Sequence, residues 1–195
     1  MLIALCRAVD RVNEVIGRIA AWAIVAAILV SAVNAIVRKL FGTSSNAWLE
    51  LQWYLFGATF MLAAAWTLRN NEHIRIDIVS SRLSKRTRDW IDVFGHVFFL
   101  IPFAGLLTWL GLPWALASLH SGEMSSSAGG LVLWPAKALI AAGFVLLLLQ
   151  AFSELAKRLL IIAGRLEDAG RGGHHTAAEV EAERLLAQNG PGEER

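Results

Sequence analysis

Four long apolar stretches constrain this chain more than any other feature of its sequence. They cover residues 19–37, 47–68, 90–116 and 131–152. Each is close to or above the roughly 20 residues that a helix needs to cross the hydrocarbon core of a bilayer. With 56% hydrophobic and only 17% charged residues, the chain also has more apolar surface than a water-soluble domain of 195 residues can bury. We therefore predict an all-α integral membrane fold with four transmembrane helices.

Amphipathic segments accompany these predicted spans. Before the first span, apolar side chains recur at helical spacing while charged side chains occupy the other face, which predicts an N-terminal amphipathic helix at the membrane interface. The apolar face comprises Leu5, Val9, Val12 and Ile16. A second, short amphipathic helix is predicted in the loop between spans two and three, where Ile76, Val79 and Leu83 share a face.

The domain division follows from these segments. Residues 1–165 are expected to form a four-helix membrane domain, and residues 166–195 a hydrophilic cytoplasmic tail that is partly disordered. Ser84 is expected to cap the helix of the third span. Pro102 and Pro113 lie inside that span and predict a kink.

Positive charges are distributed unevenly between the connecting segments. Fifteen of the 18 Lys and Arg residues lie before the first span, between spans two and three, or after the fourth span, whereas two lie in the connections on the opposite side. Lys and Arg are enriched in cytoplasmic loops, so both termini are predicted to lie in the cytoplasm.

Polar side chains within the predicted spans need an explanation, because an ionised group in hydrocarbon costs several kcal/mol unless it is paired or hydrated. Glu50 and Gln52 lie in span two, and Lys137 lies in span four. In the predicted topology these spans run parallel, with Glu50 about one turn and Lys137 about two turns from the same end. The two charges could form a structural ion pair, take part in proton or substrate binding, or reach separately for the interface.

Another polar cluster follows span two, where His73, Arg75 and Asp77 alternate with isoleucines. A buried contact network and a solvated loop would both give this pattern.

The sequence lacks the residue combinations of several enzyme classes. Cys6 is the only cysteine, which excludes an intrachain disulfide and a cysteine-pair redox site. His96 is the only histidine inside a predicted span, whereas a dihaem site between helices needs opposed pairs of histidines. We therefore predict a protein that is not an enzyme, has no catalytic, cofactor or metal site, and has no nucleic-acid partner.

Motifs around spans two and four are more specific. Span two contains Trp48-Leu-Glu-Leu-Gln-Trp-Tyr-Leu-Phe, then Gly57-Ala58, and ends in Leu68-Arg69 followed by His73-Ile-Arg-Ile-Asp77-Ile-Val79. Span four contains Leu133-Trp-Pro-Ala-Lys137 and Gly143-Phe-Val-Leu. In this order, over about residues 10–160, the chain resembles the small permease subunit of tripartite ATP-independent periplasmic (TRAP) transporters, the DctQ-like family.

This resemblance implies a secondary active uptake system, a symporter of the bacterial inner membrane. In such a system a periplasmic solute-binding protein docks on the periplasmic face and delivers an organic anion, often a carboxylate, to two membrane subunits. The large permease subunit would transport the substrate and bind sodium, and this chain would brace it in the lipid bilayer without a cofactor of its own. The resemblance implies a structural or interface role for Glu50, Gln52, Arg69, His73, Arg75, Asp77 and Lys137. Glu50 and Lys137 are expected to orient spans two and four for docking on the large subunit.

The alternative is a self-sufficient small proton-coupled transporter or channel that acts as a homo-oligomer. In that case Glu50 would take up the proton. The sequence has no charged residue in the middle of a span and no inverted repeat of the kind found in compact carriers, and both observations disfavour this alternative.

Overall fold

The structure is a computed structural model, and it describes residues 1–43, 45–70 and 84–166. In chain order the helices are α1 (Leu2–Phe41), α2 (Asn46–Asn70), α3 (Lys85–Gly95), α4 (Ile101–Ser121) and α5 (Trp134–Ile162), with a π-helix (His96–Leu100) between α3 and α4. Within the described ranges, the pairing of Met124 with Val132 is an isolated antiparallel bridge and no strand is formed. The predicted all-helical class is therefore confirmed.

Three helical stretches are long and apolar enough to cross a membrane: α1, the run Arg86–Ser121, and α5. The first two contain the predicted spans one and three, and α5 contains the predicted span four from residue 134 on. The 25-residue helix α2 is not in this group, because Gln52, Tyr54 and other less apolar side chains lower its mean hydropathy. Its role as a fourth span stays a prediction.

Helix α1 continues through the predicted boundary between an interfacial helix and the first span. Its 40 residues correspond to about 60 Å, twice the thickness of the hydrocarbon core. The helix ends at Gly42, whose left-handed conformation (φ 65°) lets its N–H donate to the Arg38 carbonyl at 3.1 Å. The N-terminal segment is thus the first part of one long helix, and its interfacial position stays a prediction.

The third predicted span begins with the expected cap and contains an irregular turn. The Ser84 hydroxyl accepts a hydrogen bond from the Thr87 N–H at 3.3 Å, which confirms Ser84 as the N-cap of α3. Ahead of Pro102 the helix widens into the π-helical turn, in which the Ile101 N–H donates to the His96 carbonyl. Such a turn changes the hydrogen-bond spacing where proline removes a donor.

Helices α1 and α2 pack antiparallel along their length. Arg69 at the end of α2 bonds to Glu14 near the start of α1, and the Thr59 hydroxyl donates to the Ala20 carbonyl at 3.0 Å. Helix α5 packs against both, antiparallel to α1 and parallel to α2, and α4 covers its other side. The bundle therefore places the start of α1, the end of α2 and the end of α5 together.

Small residues fill the helix contacts. A Cβ added to Gly17 would lie 2.7 Å from the Cβ of Trp66, and one added to Gly143 would lie 2.8 Å from the Met61 carbonyl oxygen. Buried small residues on the helices include Ala20, Ala27, Ala65, Ala104, Gly111, Ala115, Ala141 and Ala151. Close backbone approach through small residues is typical of helices that associate in membranes, where lipid offers no hydrophobic drive.

Some predictions concern residues beyond the described ranges. They are the cluster of His73, Arg75 and Asp77, the short amphipathic helix between spans two and three, and nearly all of the hydrophilic tail. All of these stay predictions.

Substituting Gly143→Ala should destabilise the bundle, because the new methyl group meets the Met61 backbone, which cannot rotate away. Overpacking of this kind costs about 1–3 kcal/mol. We expect a lower midpoint of thermal unfolding for the protein purified in detergent. Gly105→Ala is the matched control, since a Cβ there meets open space. Equal midpoints for the two variants would contradict the proposed tight contact.

Candidate functional site

Polar side chains gather at the two ends of the bundle. We call one the basic end; it comprises the start of α1, the end of α2, the start of α3 and the end of α5. The other, the loop end, comprises the connection 122–133 and the starts of α2 and α5. At each end, side chains far apart in sequence are joined by hydrogen bonds or ion pairs.

At the loop end, Glu50 holds the connection against α2. Its carboxylate accepts hydrogen bonds from the Ser125 hydroxyl and, at 2.6 Å, from the Leu131 backbone N–H. Gly130 lies so close that an added Cβ would be 2.8 Å from Glu50 Oε1. The carboxylate therefore anchors a loop whose glycine leaves room for it.

Lys137 pairs with a carboxylate of the same connection. Its ammonium forms an ion pair with Glu123, which also accepts a hydrogen bond from the Ser118 hydroxyl at 2.9 Å. The Lys137 ammonium lies 4.6 Å from the centre of the Trp114 ring, within the range of a cation–π interaction. The hydrogen bonds from Lys137 and Ser118 hold the pKa of the Glu123 carboxyl below its ordinary value.

The suggested ion pair between Glu50 and Lys137 is not formed. Each residue binds the connection 122–133 instead, Glu50 through Ser125 and Lys137 through Glu123. Glu123 is a site residue that the sequence pattern did not predict, because a Gly/Ser-rich connection without Lys or Arg indicates only a loop. The available signal was a lone carboxylate in a segment without Lys or Arg, 14 residues ahead of Lys137.

Two further contacts attach α2 to this connection. The Asn46 side-chain amide donates to the Ala128 carbonyl at 3.0 Å, and the Tyr54 hydroxyl donates to the Val132 carbonyl at 3.1 Å. Their acceptors are backbone carbonyls of an irregular segment, which needs such partners near a membrane. At the loop end, these contacts thus fix the connection 122–133 against α2.

At the basic end, a buried amide network joins α1 to α5. The Asn13 amide donates to Gln150 Oε1 at 2.7 Å, and Gln150 Nε2 donates to Asp10 Oδ1 and to Glu154 Oε1, both at 2.8 Å. Asn13 is 1% exposed and Gln150 is 0% exposed. Buried polar groups of this kind hold a unique packing when their hydrogen bonds are made.

Lys157 completes this network. Its ammonium lies 3.1 Å from both oxygens of Asp10 and also bonds to Glu154. The cation therefore compensates two carboxylates at the contact of α1 with α5, where a lone charge would be costly.

Arg69, one of the interface candidates, has an internal partner. Its guanidinium donates to Glu14 Oε2 at 2.8 Å, and Glu14 also pairs with Arg18 one turn further along α1. Arg69 thus joins α2 to α1 at the basic end.

Arg158 links α5 to α3. Its guanidinium lies 3.6 Å from carboxylate oxygens of both Asp89 and Asp92. Asp89 is buried, so the contact fixes the start of the third predicted span against α5.

Gln52 differs from the other predicted site residues. It lines an open groove of about 700 Å³ between α1 and α2. The groove is lined by Ile24, Ala27, Ile28, Ser31, Ala32, Ala35, Gln52, Trp53 and Phe56. Within the described part of the chain, the Gln52 amide makes no hydrogen bond. An unsatisfied amide in a mostly apolar groove favours a polar partner from outside the chain.

The arrangement offers structural contacts rather than catalytic chemistry. No group of three or more His, Cys, Asp or Glu residues suited to a metal ion occurs among the described residues. The charged pairs lie at the ends of the bundle, and most buried side chains between them are small or apolar.

Gln150→Leu should lower the free energy of unfolding by about 3 kcal/mol, because the Asn13 amide loses its partner in a buried position. Thermal unfolding in detergent measures the effect. Gln52→Leu is the matched control and should leave the isolated protein within about 0.5 kcal/mol of the wild type. The double variant Asn13→Leu with Gln150→Leu should recover part of the loss; equal losses at positions 52 and 150 would contradict the network.

The ion pair of Lys137 with Glu123 should make stability depend on pH. A carboxyl whose pKa is lowered by folding stabilises the folded state above its unfolded pKa, and this contribution disappears as the pH falls through the lowered value. Glu123→Gln should therefore be less stable than the wild type at neutral pH, and the difference should shrink on acidification. A stability difference that stays constant between about pH 7 and about pH 3 would contradict the assignment.

The contacts above can be compared with known proteins. The family model described as Tripartite ATP-independent periplasmic transporters, DctQ component, matches residues 27–160, which include α2, α3, α4, most of α5 and the last part of α1 from residue 27 on. Comparison with curated proteins and with solved structures gives no match. The family is a transporter component and not an enzyme, in agreement with a bundle whose polar residues make structural contacts. This chain therefore belongs to the DctQ family, the small membrane component of TRAP transporters.

Proposed function

We propose that this chain braces the large permease subunit of a TRAP transporter during sodium-driven, binding-protein-dependent uptake of an organic anion such as a carboxylate. Family membership and one structural observation carry the proposal. Gln52 presents an unsatisfied amide in a groove between α1 and α2, while Glu50, Lys137 and Arg69 have partners within the chain.

The proposed topology has four spans in a bacterial inner membrane with both termini in the cytoplasm. The basic end carries most of the positive charge and faces the cytoplasm. Helix α2 is the remaining span, because it follows α1 from the loop end to the basic end and packs against α5 along the way. The loop end then faces the periplasm, where the solute-binding protein docks on the assembled transporter.

The groove between α1 and α2 is the proposed docking face for a helix of the large subunit. Ala32 and Ala35 are exposed there and allow close approach of another backbone. Ser31 and Gln52 lie on the same groove and offer hydrogen bonds within the bilayer. A partner helix with a polar side chain at this depth would satisfy Gln52, which lipid cannot do.

A subunit that braces its partner needs no substrate pathway of its own. The described helices pack through buried alanines and glycines, and their charged side chains are paired near the ends. The large subunit is expected to carry both the substrate pathway and the sodium sites.

Ala32→Leu should weaken assembly with the large permease subunit at least about tenfold, because a bulky side chain fills the groove that the partner helix needs. Gln52→Leu should weaken assembly in the same direction by removing the interhelical hydrogen bond, which is worth about 1 kcal/mol in membranes. Co-expression of the two subunits, with affinity capture of one and quantification of the other, measures assembly.

Ala21→Leu is the control, since Ala21 is an exposed alanine of α1 that does not line the groove. If all three variants capture the large subunit as well as the wild type does, the docking face is wrong. Solute transport by this chain alone in sealed vesicles would contradict the bracing role and favour the self-sufficient transporter.

A further inference from the structure

A second groove lies at the basic end, on the outer side of α1. It is open, has a volume of about 430 Å³, and is lined by Arg7, Asp10, Arg11, Glu14, Val15, Arg18 and Arg69. Four guanidinium groups thus face two carboxylates. The surplus of positive charge favours an anionic ligand.

Both carboxylates of the groove already have cationic partners. Asp10 is bonded by Lys157 from α5, which does not line the groove, and Glu14 is shared by Arg18 and Arg69. Neutralisation of Asp10 by Lys157 increases the surplus of positive charge in the groove.

Arg7 and Arg11 are the arginines of this groove whose guanidinium groups can donate hydrogen bonds to a ligand. They lie four residues apart, so they share one face of α1. Among the described residues, neither makes an ion pair or a side-chain hydrogen bond. Two guanidinium groups on one helix face can each bind phosphate oxygens in a bidentate manner.

An apolar stripe continues from this groove along α1. Val15, Ile19 and Trp22 follow Arg11 at spacings of three to four residues, and their exposed fractions are 49%, 67% and 73%. The stripe thus runs from the arginines toward the apolar middle of the helix, as the acyl chains of a lipid do beneath their headgroup. A free anion has no acyl chains and would not contact this apolar stripe.

From this juxtaposition we propose that the groove binds the phosphate headgroup of an anionic phospholipid. Arg7 and Arg11 contact the phosphate, Arg18 and Arg69 line the rest of the groove, and the acyl chains lie on Val15, Ile19 and Trp22. Basic pockets beside transmembrane helices are suited to such headgroups. The proposal goes beyond the bracing function, because the site lies on α1 away from the groove that contains Gln52.

Native mass spectrometry of the purified full-length chain tests the proposal. The wild type should retain phosphatidylglycerol in preference to phosphatidylcholine of the same acyl chains. The double variant Arg7→Gln with Arg11→Gln should bind phosphatidylglycerol at least about tenfold more weakly, since each charged hydrogen bond that is lost corresponds to about that factor. Arg38→Gln with Lys39→Gln removes the same charge from the other end of α1 and should keep the preference.

Further measurements distinguish lipid binding from the binding of a free anion and from a folding defect. Inorganic phosphate at millimolar concentration should not displace phosphatidylglycerol from the wild type, because phosphate lacks acyl chains. Arg7→Lys with Arg11→Lys should retain more phosphatidylglycerol binding than the glutamine variant, because it keeps both charges. Circular dichroism should give equal helix content for all variants.

Three results would overturn the proposal: a wild type without preference for phosphatidylglycerol, an equal loss in the control at positions 38 and 39, or displacement by inorganic phosphate. These measurements use the isolated chain. Failure to capture the large subunit would therefore contradict the bracing function without affecting the lipid site, and loss of lipid preference would leave the bracing function intact.

Discussion

The contacts between the helices depend on one requirement, that polar side chains away from water find hydrogen-bond partners. In an apolar environment, a polar side chain that lacks a partner costs free energy that water would otherwise recover. The Asn13 amide nitrogen and the Gln150 side chain meet this requirement with each other and with Asp10, and the pairing joins α1 to α5 through residues that are 137 apart in sequence. Loss of one partner would leave a buried amide without a hydrogen bond, so the network holds α1 and α5 in one register.

Close packing acts together with these polar contacts. Gly17 accommodates Trp66, and Gly143 accommodates the backbone of Met61, so α2 is held between α1 and α5. Contacts at the two ends of the bundle then keep the helices from sliding: Arg69 binds Glu14 at one end, and Glu50 binds the connection 122–133 at the other. The proposed bracing function requires a bundle held in this way.

Three side chains without a hydrogen-bond partner among the described residues line open grooves of the bundle. The Gln52 amide lies in the groove between α1 and α2, which is the proposed seat of the large subunit. Arg7 and Arg11 lie in the groove at the basic end, which is the proposed seat of a lipid headgroup. The need for hydrogen-bond partners therefore distinguishes two outer surfaces. The groove that contains Gln52 is suited to a protein helix, and the groove that contains Arg7 and Arg11 is suited to a lipid headgroup.

The sequence by itself determined the helical membrane class, the three most apolar spans, the Ser84 cap and the DctQ family, because these depend on local composition, spacing and motif order. Only the tertiary structure decided which charges pair. Glu50 and Lys137 lie near the starts of parallel helices, yet each binds the connection 122–133, because Ser125 and Glu123 are brought closer by the fold. Partner choice depends on distances of a few ångströms between segments remote in sequence, and periodicity along one helix contains no such information.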